Sequence, residues 1–123
     1  MSGIRVSADF GEAFAVAFSS GEVSRLLPMY ESDAVLQGPD GKRHDGIDAI
    51  AGALQPYLGQ GLRMETSTRF LVEQGDLTLI RNDFSLVDRN GARVHSASSC
   101  ELLKRGADGC WRLVIDLPSG SSA

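Results

Sequence analysis

The second half of this chain is cut into regular pieces by turn signals, and that punctuation constrains the fold more than any other feature. Gln74-Gly75-Asp76, Asp88-Arg89-Asn90-Gly91 and Gly106-Ala107-Asp108-Gly109 each join glycine to short polar residues, the chemistry that tight hairpin turns need. Between them lie segments at 62–74, 77–87, 93–105 and 110–117, which the pattern predicts as consecutive antiparallel strands. In the first segment Leu62, Met64, Phe70 and Val72 fall on one side, and Arg63, Glu65, Arg69 and Glu73 on the other. Such alternation marks a sheet with one face packed and one face wet.

The first half carries helical spacing instead. Phe10, Phe14 and Phe18 recur at i, i+4 and i+8 with Ala13 and Ala17 beside them, an apolar stripe that one helix face would bury. Asp9 followed by Glu12 has the form of a capping box, and Gly21 suits the helix end. A short helix is expected at 22–30, shortened by Pro28, then a short strand Ala34-Val35-Leu36-Gln37. Gly38-Pro39-Asp40-Gly41 reads as a turn and Lys42-Arg43-His44 as a second short strand. A third helix follows Asp45, with Ile47, Ile50, Leu54, Tyr57 and Leu58 on one face and Pro56 weakening its last turn. Residues 1–8 and 119–123 read as loose ends.

Helices followed by a meander give an α+β domain, N-terminal helices lying on a curved, mostly antiparallel sheet and enclosing a pocket. At 123 residues the chain fits one domain, 1–123, with an ordered core at about 8–118. Its net charge of −4 lacks the basic footprint that nucleic acid or an anionic membrane surface requires, and no apolar run reaches spanning length. A cytoplasmic location follows as the expectation, with Cys100 and Cys110 as free thiols. Two histidines, His44 and His95, with no partner spacing argue against a metal site, and no phosphate loop or dinucleotide fingerprint calls for a cofactor.

The segments YESDAVLQGPDG (30–41), HDGIDAI (44–50), GDLTLIRNDFSL (75–86) and DGCWRLVIDLP (108–118) resemble, in order, those of the nuclear transport factor 2-like superfamily. The likeness is to its SnoaL-like polyketide cyclase and ketosteroid isomerase-like branch, and it covers about residues 8–118. It implies a cone-shaped fold, a pocket for a lipophilic small molecule and a homodimer. The ketosteroid isomerase machinery needs an Asp base, a Tyr and a protonated Asp. Here the base position falls on Gly38 and the tyrosine position on Phe14, and the neutral aspartate falls near Cys100, where the neighbouring Glu101 can substitute. Steroid-type isomerisation by that set is therefore not expected.

The polar run Arg81-Asn82-Asp83 lies mid-strand, where a core prefers apolar side chains. Arg81 and Asp83 share a face, with Ile80 and Phe84 on the other. An Arg beside an Asp keeps the carboxylate ionised, and such a pair can activate water, with Asp83 as general base and Arg81 as its orienter. Arg-x-Asp here also resembles the limonene-epoxide-hydrolase branch. Its second acid would fall on Leu113, with Asp116 three positions further on.

The hydrophobic pattern gathers Ile80, Phe84, Cys100, Leu102, Leu113 and Ile115 on one sheet face, and Arg81, Asp83, Ser99, Glu101, Arg112 and Asp116 on the other. The second face is either the pocket or a polar dimer interface, and a slip of one residue would exchange the two. Under the pocket reading Asp83 and Arg81 are catalytic, and Tyr30, Gln37, Glu101, Trp111, Asp116 and Phe14 contact the ligand. Under the interface reading Arg81, Asp83 and Glu101 join two copies of a binding or association module.

Overall fold

The phenylalanine stripe forms the helix its spacing demands. In the computed structural model, which describes residues 3–119, helix α1 runs Phe10–Ser19 and buries Phe10 and Phe18. Asp9 stands at its N-cap but makes no side-chain cap bond, because a 3-10 turn at Ser7–Asp9 leads directly into the helix. Gly21, at φ 76°, ends it in the left-handed region that only glycine enters freely. Helix α2 (Val23–Leu26) is a single turn, and Pro28 sits in the 3-10 turn Leu27–Met29 that closes it.

Strand β1 runs Tyr30–Gln37, longer than the apolar run suggested, and β2 is Arg43–Asp45. Helix α3, Ile47–Leu58, tolerates Pro56 in its last turn and buries Ile50, Leu54 and Leu58. The hairpin strands follow as β3 (Arg63–Gln74), β4 (Leu77–Val87), β5 (Arg93–Arg105) and β6 (Trp111–Leu117). They form one six-stranded sheet in the order β2-β1-β6-β5-β4-β3, antiparallel except where β1 lies parallel to β6. This is an α+β fold with the helices on one face of a mostly antiparallel sheet. No described helix is long and apolar enough to cross a membrane.

The N-terminal segment is more firmly held than the composition suggests. The Trp111 N–H donates to the Ile4 carbonyl, and buried Ser7 donates its hydroxyl to Glu73 at 2.7 Å. The expected loose tail beyond residue 119 lies outside the described residues.

Irregularities in the ladders decide which side chains look at the helices. Between Thr68 and Phe70 the β3–β4 register shifts, so Arg69 is an extra residue and the face changes. Thr66 and Thr68 face inward, whereas Phe70 and Val72 emerge on the outer face. This corrects the expectation that Phe70 and Val72 share a side with Leu62 and Met64. A second shift, between Leu102 and Leu103, leaves Val114 of β6 without a partner. Leu113 and Asp116 are therefore both buried, although an unbroken strand would set them on opposite sides.

Candidate functional site

The helices and the concave face of the sheet enclose a cavity of about 500 Å³. Its walls are largely apolar. Phe10, Phe14 and Phe18 come from α1, Leu54 and Tyr57 from α3, and Phe84 from β4. A volume of this size accommodates a small organic molecule of a few rings.

A row of polar side chains crosses this apolar hollow. Thr68 donates its hydroxyl to Asn82 Oδ1 at 2.7 Å, and Asn82 Nδ2 donates to Glu101 Oε1 at 2.8 Å. Glu101 is the cross-strand partner of Asp116, which places their Cβ atoms roughly 5 Å apart. From the far side Tyr30 donates its hydroxyl to Asp116 Oδ2 at 2.7 Å. The row thus runs β3, β4, β5, β6, β1. Asn82, Glu101 and Asp116 are each at most 7% exposed, and all three line the cavity. Gly11 lets α1 lie close on this row, since a side chain there would begin 3.2 Å from Asn82 Oδ1.

Burial governs the protonation of the two acids. Desolvation, and then the negative charge of Asp116, push Glu101 up to about 8, against the opposing hydrogen bonds from Ser99 and Asn82. Desolvation pushes Asp116 up to about 6, and the Tyr30 hydrogen bond resists. Tyr30 itself is raised well above its ordinary value, first by burial and then by Asp116. Burial thus holds protons on the pair to higher pH than either acid would keep them in water.

The structure places the expected site residues unevenly. Phe14, Glu101 and Asp116 line the cavity, and Tyr30 reaches it through Asp116 while its ring meets Phe14 edge-on at 6.3 Å. Gln37, one residue beyond the lining Leu36, does not line the cavity. Neither does Trp111, a buried core residue with the Arg105 guanidinium 5.2 Å above its ring.

Arg81 and Asp83 require a correction. They lie on the outer face, because the inner positions of β4 are Ile80, Asn82 and Phe84. Asp83 accepts from Ser98 at 2.6 Å and pairs with Arg69 at 3.2 Å, an exposed contact away from the cavity. The Ser98 hydrogen bond is also the first cause of its lowered pKa, and the charge of Arg81 is the last. The inward assignment failed because β4 is apolar on both faces: Leu77 and Leu79 are exposed outside while Ile80 is buried inside. Sorting Ile80 and Phe84 away from Ser99, Glu101 and Asp116 was therefore one residue out of register. The sequence pattern assigns no role to the Asn82 amide within the polar run. Its signal was a single amide between two charges at the middle of a long hairpin.

A family model of the SnoaL-like domain matches residues 11–114. The chain belongs to the SnoaL-like domain family. Solved structures agree on the nuclear transport factor 2-like fold. A ketosteroid isomerase-like protein from Erwinia carotovora atroseptica superposes with a TM-score of 0.74 at 21% identity, over 92% of this chain and 91% of its own. A protein described as a calcium/calmodulin-dependent protein kinase type II association domain, from Thiobacillus denitrificans, gives 0.81 at 17% identity, over 95% and 96%. A cystatin-like protein from Nostoc punctiforme gives 0.76 at 21% identity, over 89% and 86%. At these identities the likeness is one of fold alone. No curated protein matches the chain in sequence. Within this SnoaL-like domain, the cavity that the fold encloses is the one crossed by the Thr68–Asn82–Glu101 and Asp116–Tyr30 row.

Proposed function

We propose that this SnoaL-like domain binds a lipophilic small molecule in its cavity and transfers a proton on it. The reading rests on one observation: two buried carboxyl groups sit side by side in a largely apolar hollow. Glu101, oriented by Asn82, is the proton donor. Asp116, oriented by Tyr30, is the acceptor. A donor and an acceptor whose environments set their protonation apart suit acid–base isomerase, cyclase or hydratase chemistry. Asp83 and Arg81 have no part in that step.

The test is proton exchange at the α-carbon of 2-tetralone in D2O, followed by NMR. The protein is expected to accelerate exchange over buffer, and Asp116→Asn to remove at least tenfold of that acceleration. Exchange at the buffer rate, or an unaltered rate in the variant, would refute the proton-transfer role.

A second copy of the chain covers the outer face in this reading. Phe70, Val72, Leu79 and Ile115 are each 39% or more exposed on that face, and Arg81 and Asp83 lie among them. Register neighbours Val72, Leu79, Leu102 and Ile115 make a continuous apolar stripe across four strands. Leu79→Glu should turn a dimer into a monomer in sedimentation velocity, and a wild-type monomer at micromolar concentration would reject the association.

A further inference from the structure

The two acids in the cavity lack something that buried acids ordinarily have. No Lys or Arg pairs with Glu101 or Asp116 among the described residues, whose salt bridges all join other groups. An ionised group in an apolar enclosure without a counter-charge is costly, and proteins normally supply one. Tyr30 satisfies Oδ2 of Asp116, but no described hydrogen bond reaches Oδ1, in a residue that is 5% exposed and lines the cavity. Asp116 thus turns one carboxyl oxygen to the cavity, beside Glu101, with no described cation paired to either acid.

The remaining titratable groups of the cavity lining do not fill it. Asp40, Lys42, His44, His95 and Tyr57 are exposed or half-exposed, which puts them at the rim. Deeper in, the walls are the rings of Phe10, Phe14, Phe18 and Phe84. Aromatic faces attract a cation as well as any hydrocarbon it carries. An anionic ligand would meet like charge in this hollow, and a neutral one would leave Asp116 uncompensated.

We infer that the molecule this cavity accepts carries a basic nitrogen, and that its ammonium N–H donates to the free oxygen of Asp116 while its apolar body packs against the phenylalanines. The inference rests on the cavity being a ligand site, as proposed above, and adds the ligand's chemical class. The amine brings a positive charge and an N–H donor to the carboxylate together. Glu101 lies beside that pair as the cross-strand partner of Asp116.

The test compares 1-naphthylmethylamine, 1-naphthalenemethanol and 1-naphthoic acid, which share one ring system and differ in head group. Affinity is read at about pH 7.5 by displacement of Nile red, with calorimetry as a check. The amine is expected to bind at least tenfold tighter than the alcohol, and the acid more weakly than either. Asp116→Asn should bring the amine to the level of the alcohol, with Nile red affinity and circular dichroism showing that the variant is folded. Should Asp116→Asn fail to fold, lowering the pH of the wild type to about 5 gives the same answer, since protonating Asp116 should erase the preference for the amine. Equal or tighter binding of the alcohol or acid overturns the inference, and so does Nile red binding that no naphthalene displaces; both leave the cavity as a lipophilic site. Failure of Nile red itself to bind would overturn both readings.

Discussion

The Tyr30 hydroxyl donates to Asp116 across the parallel β1–β6 pair, at 2.7 Å and entirely out of solvent. The bond joins the first strand of the chain to the last, so the site depends on a contact between residues 86 positions apart. Tyr30→Phe keeps the ring against Phe14 and removes only the donor. A loss of about 1–2 kcal/mol in urea unfolding is expected, the usual cost of stripping a buried acid of its partner. The Asp116 proton should also be held to higher pH, since the lost bond favoured the carboxylate.

Asn82→Leu should disturb the cavity from the other end. It leaves the Thr68 hydroxyl and Glu101 without the amide that bridges them. Unfolding should cost on the order of 1–3 kcal/mol less than in the wild type, and Glu101 should titrate higher still. By contrast Asp83→Asn, one residue away but on the outer face, should leave Nile red affinity within about twofold, a change of under roughly 0.5 kcal/mol. Asn82→Leu should weaken Nile red binding more than Asp83→Asn does, and equal losses in the two variants would contradict the inward facing of Asn82.

Stability should fall as pH rises across the neutral range. Glu101 and Asp116 are pushed up to about 8 and about 6, from ordinary values of 4.5 and 3.8. The folded chain therefore keeps protons that the unfolded chain releases. Their contribution is full below about pH 4 and is lost as pH passes through about 6 and then about 8. Thermal unfolding should occur at lower temperature at about pH 8.5 than at about pH 5.5. Glu101→Gln, which cannot ionise, should flatten that slope and exceed the wild type at the higher pH by roughly 1–2 kcal/mol.

Gly11→Ala is expected to cost function more than fold. The added methyl would begin 3.2 Å from Asn82 Oδ1 and 3.5 Å from Thr68 Oγ1, so the amide must give way or α1 must lift. Either movement loosens the hold on Glu101. A tenfold drop in 2-tetralone exchange with a melting temperature lowered by only a few degrees would match this account.

The order of elements was legible in the sequence because turns and helix stripes are local. Gly75, Gly91 and Gly109 all adopt positive φ at the three hairpin turns, and the phenylalanine spacing alone defines α1. The facing of side chains was less legible, because it depends on residues that break the ladder. The extra Arg69 in β3 and the unpaired Val114 in β6 each reverse the alternation beyond them. Nothing about Arg or Val signals a bulge, so Phe70 and Val72 read as core and Asp116 as out of phase with Leu113. In β4 the pattern was ambiguous even without a bulge, since Leu79 outside and Ile80 inside are equally apolar. The charges of Arg81 and Asp83 are the conspicuous chemistry of β4, yet the side chain in the cavity is that of Asn82 between them.

The central claim is that Glu101 keeps a proton near neutrality, beside Asp116 and inside an apolar cavity. The most direct measurement is the pH titration of the Glu101 carboxyl carbon by NMR in protein labelled with ¹³C-glutamate, assigned through Glu101→Gln. A midpoint near about 8, moving downward in Asp116→Asn as the neighbouring charge is removed, is the predicted result. A midpoint in the ordinary glutamate range near 4.5, unaffected by that substitution, would contradict it.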